Sequence, residues 1–107
     1  MNENGDCLHV DGGIPTSCVH KGYWLTSTGC ETSCSYHESC IAYTYFSDFD
    51  CRLIVSNNTC PYGFTLRAEN NTALAVSDLV PGNYRYDYGS CYIQNSGKKF
   101  MRKVLRF

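Results

Sequence analysis

Eight cysteines, at positions 7, 18, 30, 34, 40, 51, 60 and 91, are the side chains of this 107-residue chain with the most chemistry available to them. A thiol can attack a carbonyl, ligate a metal or pair with a second sulfur. An even count in so short a chain, with strongly local spacing, points to paired sulfur and an oxidising compartment. Nucleophilic catalysis needs a free thiolate beside a base, and complete pairing leaves none. Zinc is the rival use, because Cys30-x3-Cys34 can open a thiolate site, but the next cysteines are spaced unlike those of common zinc modules. His9, His20 and His37 are scattered, with no His-x3-His pair, and read as surface or capping residues. Asp48 and Asp50 flank Phe49 and suggest calcium, yet the loop lacks the Gly and terminal Glu of an EF-hand, so they read as turn residues. The expectation is a chain with no catalytic, metal or cofactor site. Eight thiols allow on the order of a hundred complete pairings, and spacing alone does not select one.

What remains is contact chemistry. Nine tyrosines exceed the needs of a small core. Tyr84, Tyr86 and Tyr88 alternate with Arg85 and Asp87, which on a strand makes a same-face row of rigid rings, suited to stacking on a sugar or anchoring a protein contact. The competing reading of that row is edge-strand packing. Trp24, the only tryptophan, is expected beneath a helix rather than as an exposed anchor. Asn57-Asn58-Thr59 and Asn70-Asn71-Thr72 are acceptor sequons, placing Asn57 and Asn70 as glycosylation candidates on surface loops. The body through Gly97 carries four basic against ten acidic side chains, whereas Lys98, Lys99, Arg102, Lys103 and Arg106 follow with no acid among them. Residues 1–97 therefore read as one domain and 98–107 as a basic tail, its conformation open between helix and strand. Such a tail can engage an anionic surface, another chain or the acidic body, or simply solubilise the chain. Nucleic acid is not an expected partner, since the acidic body would repel it. No apolar run approaches the roughly 18 residues of a membrane span. The polar start, Met1 to Asp6, lacks a secretory signal, and the expectation is that a leader precedes it and is removed.

The cysteines need elements to hold them. Thr28 stands three residues before Glu31, the spacing of a capping box, so a short helix is expected from about Gly29 to His37. Cys30 and Cys34, one turn apart, then share a face. After Cys40 the run Ile41-Ala-Tyr-Thr-Tyr-Phe46 reads as a strand, Asp48 to Asp50 as a turn, and Cys51-Arg-Leu-Ile-Val55 as the returning strand. Cys7 to Val10 is a short strand ended at Gly12 and Gly13, Ile14 to Cys18 is irregular around Pro15, and Phe64 to Ala68 alternates like a strand. Ala73 to Val80 fits either a strand or one helical turn, and Cys91 to Gln94 closes the sheet.

The pattern Cys30-x3-Cys34-x5-Cys40-x-Ala42-Tyr43-Thr44-Tyr45, followed by Cys51-x-Leu53, resembles the core of the PAN/apple family of extracellular modules. The resemblance covers about twenty-five residues closely, and Cys7 and Cys91 extend it loosely over most of the chain. It implies an α+β fold: one short helix packed on an antiparallel sheet of about five strands, with Tyr43 under the helix. It implies bonds from Cys30 to Cys51 and from Cys34 to Cys40, with an apple-type closure from Cys7 to Cys91. Cys18 and Cys60, outside the family core, are left as the fourth pair. A closure as long as Cys7 to Cys91 contributes roughly 4 to 5 kcal/mol in the chain-entropy model, so reduction is expected to unfold the domain. The function implied is that of a secreted, non-catalytic binding module for a carbohydrate or glycoprotein, acting through the row from Tyr84 to Tyr88. The alternative is a protein-interaction module or secreted signal recognised by a cell-surface partner.

Overall fold

The computed structural model describes residues 7–20, 25–46, 50–81, 89–94 and 100–102. In chain order these form β1 (Cys7–His9), β2 (Ser17–His20), α1 (Ser27–Tyr36), β3 (Cys40–Phe46), β4 (Cys51–Val55), β5 (Phe64–Arg67), a 3-10 turn (Val76–Asp78), β6 (Leu79–Pro81), β7 (Gly89–Gln94) and β8 (Phe100–Arg102). Six strands make one antiparallel sheet in the order β5-β2-β4-β3-β7-β8, and β1 with β6 make a separate antiparallel ribbon. The protein is thus an α+β disulfide-rich domain, with one α-helix among the described residues packed on an antiparallel sheet.

The hairpin of β3 and β4 is covered on both faces, which is why its sequence lacks clean polar alternation. On one face Tyr43, Leu53 and Val55 pack beneath the helix with Cys30, Cys34 and Cys51. On the other, Ala42 and Ile54 pack with Cys7, Ala73, Leu79 and Cys91, under the ribbon. Three layers result, helix over sheet over ribbon. Successive residues of a strand point to opposite faces, so Cys40 and Ala42 would ordinarily share one. They do not: Cys40 joins the helix-side cluster and Ala42 the ribbon side. The register explains this, because Cys40 pairs with Val55 and Ala42 with Ile54, leaving Ile41 as an extra residue on β3. This bulge re-aims Cys40 at the helix.

The helix starts earlier than its sequence suggests. The N-cap is Thr26, not Thr28: its Oγ1 accepts from Gly29 N at 3.1 Å. Leu25, one residue before the cap, packs against the cluster that holds Cys30 at the fourth helical position, the arrangement of a hydrophobic staple. Gly29 leaves room for it, since a Cβ there would fall 2.9 Å from Leu25 Cδ1. Thr26, Ser27 and Thr28 are all competent caps, and the packing of Leu25 selects the first. Glu31, freed from capping, accepts instead from the Tyr43 hydroxyl at 3.0 Å.

Four disulfides stitch the layers: Cys30–Cys51 and Cys34–Cys40 tie α1 to β4 and β3, Cys7–Cys91 ties the ribbon to β7, and Cys18–Cys60 ties β2 to the loop after β4. The first three are the pairs the family resemblance implies, and Cys18–Cys60 is the pair left by elimination. No cysteine is free, and a bonded sulfur is no thiolate ligand, which removes the zinc reading of Cys30 and Cys34.

Two stretches differ from their sequence reading. Ser17–His20, expected to be irregular at its start, is β2, held between β4 and β5. Phe100–Arg102, within the expected basic tail, is β8, the edge strand beyond β7; this decides between helix and strand for these three residues and joins them to the sheet. Ala73 to Val80 takes both forms considered for it, a 3-10 turn followed by the start of β6. Asp78 fastens that turn by accepting from Leu74 N and Ala75 N at 3.0 and 3.3 Å.

Candidate functional site

The helix and β4 both end at one place, and their ends make a cleft. His37 caps the helix, donating its backbone N–H to Cys34 O, and its carbonyl accepts from Cys40 N, so residues 37–40 turn directly into β3. Where β4 ends, the Ser56 N–H donates to Ser39 O at 2.8 Å and fastens the next loop to that turn. Within the loop, Asn57 Oδ1 accepts from both Thr59 N at 3.1 Å and Thr59 Oγ1 at 2.5 Å. A hydroxyl has one proton to give. With that of Thr59 committed to Asn57, Ser39 Oγ donates to Thr59 Oγ1 across 3.2 Å. The His37 ring, as the Nε2–H tautomer, donates to Thr59 O at 2.8 Å. The Cys18–Cys60 bond fixes the far end of the loop to β2.

The cleft so formed is an open one of about 560 Å³, lined by His37, Glu38, Ser39, Ser56, Asn57 and Thr59. Its size falls in the range of small-molecule sites, roughly 300 to 1,000 Å³. Its chemistry does not match the apolar majority of such sites: one imidazole, one carboxylate, one carboxamide and three hydroxyls suit a ligand that is itself rich in hydroxyls. Tyr36, immediately before His37, and Tyr62, shortly after Thr59, are essentially fully exposed, at 87% and 104%. Exposed rings thus stand on both segments that build the cleft. The His37 Nε2 lies 3.4 Å from Thr59 Oγ1, and it already donates to the Thr59 carbonyl.

A second cluster lies beside the helix. The Tyr43 ring stacks on Tyr92 with centroids 4.8 Å apart and planes within 12°. Tyr43 is buried under the helix, as the resemblance implies, while Tyr45 on the same strand face is half-buried. Burial, then the hydrogen bond to Glu31 and its negative charge, push the Tyr43 phenol far above the usual tyrosine range.

Of the residues singled out from sequence, Tyr84, Arg85, Tyr86, Asp87 and Tyr88 lie outside the described residues, as do Trp24, Asp48 and, in the tail, Lys98, Lys99 and residues 103–107. Asn57 is in the cleft wall. Asn70 is exposed on the loop before the ribbon, and Asp50 is exposed at the start of β4. Among the described residues, no three His, Cys, Asp or Glu side chains are grouped to hold a metal ion. The cleft and its two tyrosines were not singled out from sequence. Two signals were present: Tyr36 falls about 200° around the helix from Cys34, and Pro61-Tyr62-Gly63 is a turn, with Gly63 at φ +90°. The chain was compared with family models, with curated proteins and with solved structures, and none matches.

Proposed function

We propose that this chain is an extracellular contact module of the PAN/apple type that recognises a carbohydrate or glycoprotein and has no catalytic activity. The observation that carries the reading is the polar cleft between Ser39 and Asn57, with exposed Tyr36 and Tyr62 on the two chain segments that lead into it. Hydroxyls, a carboxylate and an imidazole bond the equatorial hydroxyls of a sugar, and tyrosine faces cover its C–H side. The row from Tyr84 to Tyr88 is proposed as a further contact element of the same chemical kind. Four disulfides fit an oxidising compartment, and among the described residues no helix is long and apolar enough to cross a membrane. A glycan array tests the reading. Saturable binding is expected, weakened at least tenfold, or by about 1.4 kcal/mol, in Tyr36→Ala or Tyr62→Ala; a blank array with folded, unglycosylated protein refutes it.

A protein partner is the second reading, favoured by the outer side of the ribbon. Val10 and Val80 are exposed there, brought near one another by the pairing of Leu8 with Val80 and by the bond from Val10 N to Asp78 O, and Leu74 and Val76, in the segment leading into the ribbon, are exposed as well. Isolated exposed aliphatics are ordinary; several together mark a contact surface. The basic residues Lys98, Lys99, Arg102, Lys103 and Arg106 are proposed to add attraction to an anionic surface, and nucleic acid is not a proposed ligand.

A further inference from the structure

The two sequons, equivalent in sequence, are not equivalent in the fold. At Asn57 the carboxamide is exposed, and its oxygen takes both the N–H and the hydroxyl of Thr59. Both bonds draw on Oδ1 and leave Nδ2, the atom that glycosylation modifies, with no hydrogen bond among the described residues. At Asn70 the rest of the triplet is tied into the core. Asn71 forms a parallel bridge with Pro15, and its carbonyl accepts from Thr16 N at 2.8 Å. The Thr72 hydroxyl donates to Thr16 Oγ1 at 3.4 Å, so the group that a transferase must read is turned to a buried residue. The Thr59 hydroxyl also meets a buried side chain, that of Ser39, but all three residues of the first triplet are exposed, whereas Asn71 and Thr72 of the second are half-buried and pinned to Thr16.

We infer that Asn57 carries an N-linked glycan and that the sugar attached to it lies in the cleft beside it. Asn57 is itself a lining residue, so a sugar on Nδ2 starts at the cleft wall. The groups around it, the Glu38 carboxylate and the Ser39 and Ser56 hydroxyls, are partners for its hydroxyl and acetamido groups. The transfer is balanced without redox chemistry. Nδ2 bonds to the anomeric carbon of an oligosaccharide carried on a lipid pyrophosphate, the bond from that carbon to the pyrophosphate oxygen breaks, and the amide proton passes to a base of the transferase. The lipid pyrophosphate is the leaving group.

This inference rests on the extracellular reading above and adds a regulation of the same cleft: the attached sugar competes with any external one. The test compares the full chain made in a eukaryotic secretory pathway with the chain made in an oxidising bacterial periplasm that lacks N-glycosylation. Peptide mass spectrometry is expected to find Asn57 modified in most molecules and several-fold more often than Asn70, with the modification lost in Asn57→Gln and kept in Asn70→Gln. Amide NMR is expected to show Glu38 and Ser39, distant from Asn57 in sequence, shifted between the two preparations. Bare Asn57 overturns the inference, as does occupancy without any shift at Glu38 and Ser39, which would put the glycan in solvent. An array left blank by the bare periplasmic chain defeats the binding reading and leaves the Asn57 result standing.

Discussion

Removing the Cys7–Cys91 bond should cost more than removing Cys34–Cys40, and the difference follows from chain length. The first closes a sequence separation of 84 residues and the second a separation of 6. In the chain-entropy model these contribute about 4.5 and about 2.4 kcal/mol at room temperature. The longer loop encloses the other bonds, and the shortcut through Cys18–Cys60 roughly halves its effective length. Because the dependence is logarithmic, the figure falls only to about 4 kcal/mol. All four sulfurs are buried, at 0, 2, 1 and 2% exposure for Cys7, Cys91, Cys34 and Cys40. Packing losses in the paired alanine variants are therefore comparable, and the difference isolates loop closure. Equilibrium urea unfolding of Cys7→Ala/Cys91→Ala and Cys34→Ala/Cys40→Ala should separate them by about 1.5 to 2 kcal/mol, or roughly 10 °C in melting temperature for a domain of this size. Equal costs, or a costlier loss of the short bond, would refute the reasoning and place the stabilisation in local strain or packing.

The other expectations concern the helix and the phenol beneath it. Thr26→Ala should lower stability by about 1 kcal/mol, whereas Thr28→Ala should stay within about 0.5 kcal/mol; the reverse order in urea titrations would restore the cap suggested by sequence. Tyr43→Phe removes the bond to Glu31 and should cost about 1 kcal/mol at neutral pH. The folded chain holds the Tyr43 proton to higher pH than the unfolded chain does. Its contribution is therefore complete below the ordinary tyrosine value of about 10 and is lost as pH rises through the folded value. Unfolding curves across that interval should decline less steeply in Tyr43→Phe than in the parent, and identical slopes would show that Tyr43 titrates normally.

The helix and the central hairpin are legible in the sequence because local signals agree: a run of cap residues, cysteines at helical spacing, then unbroken aromatic and β-branched residues. Three of the disulfide pairs are legible through a family resemblance, and the fourth by elimination, but none from spacing, since the bond between Cys34 and Cys40 depends on an extra residue at Ile41 that nothing local marks. The cap was misplaced because three successive residues can serve and Leu25 chooses among them through a tertiary contact. β2 was obscured by Pro15 and by its short, half-polar text; it exists through neighbours on both sides. The cleft was invisible for a related reason. His37 and Thr59 are separated by 22 positions, and only the joining of Ser39 to Ser56 brings their segments together.

The absence of any unpaired sulfur also governs the life of the oxidised molecule. Disulfides rearrange only when a thiolate attacks them, and this chain holds none with which to start. Without an outside reductant, heating can loosen the layers but cannot exchange the crosslinks, so cooling returns the chain to the connectivity it had before. Errors of pairing must then be corrected during synthesis, while exchange partners are still at hand.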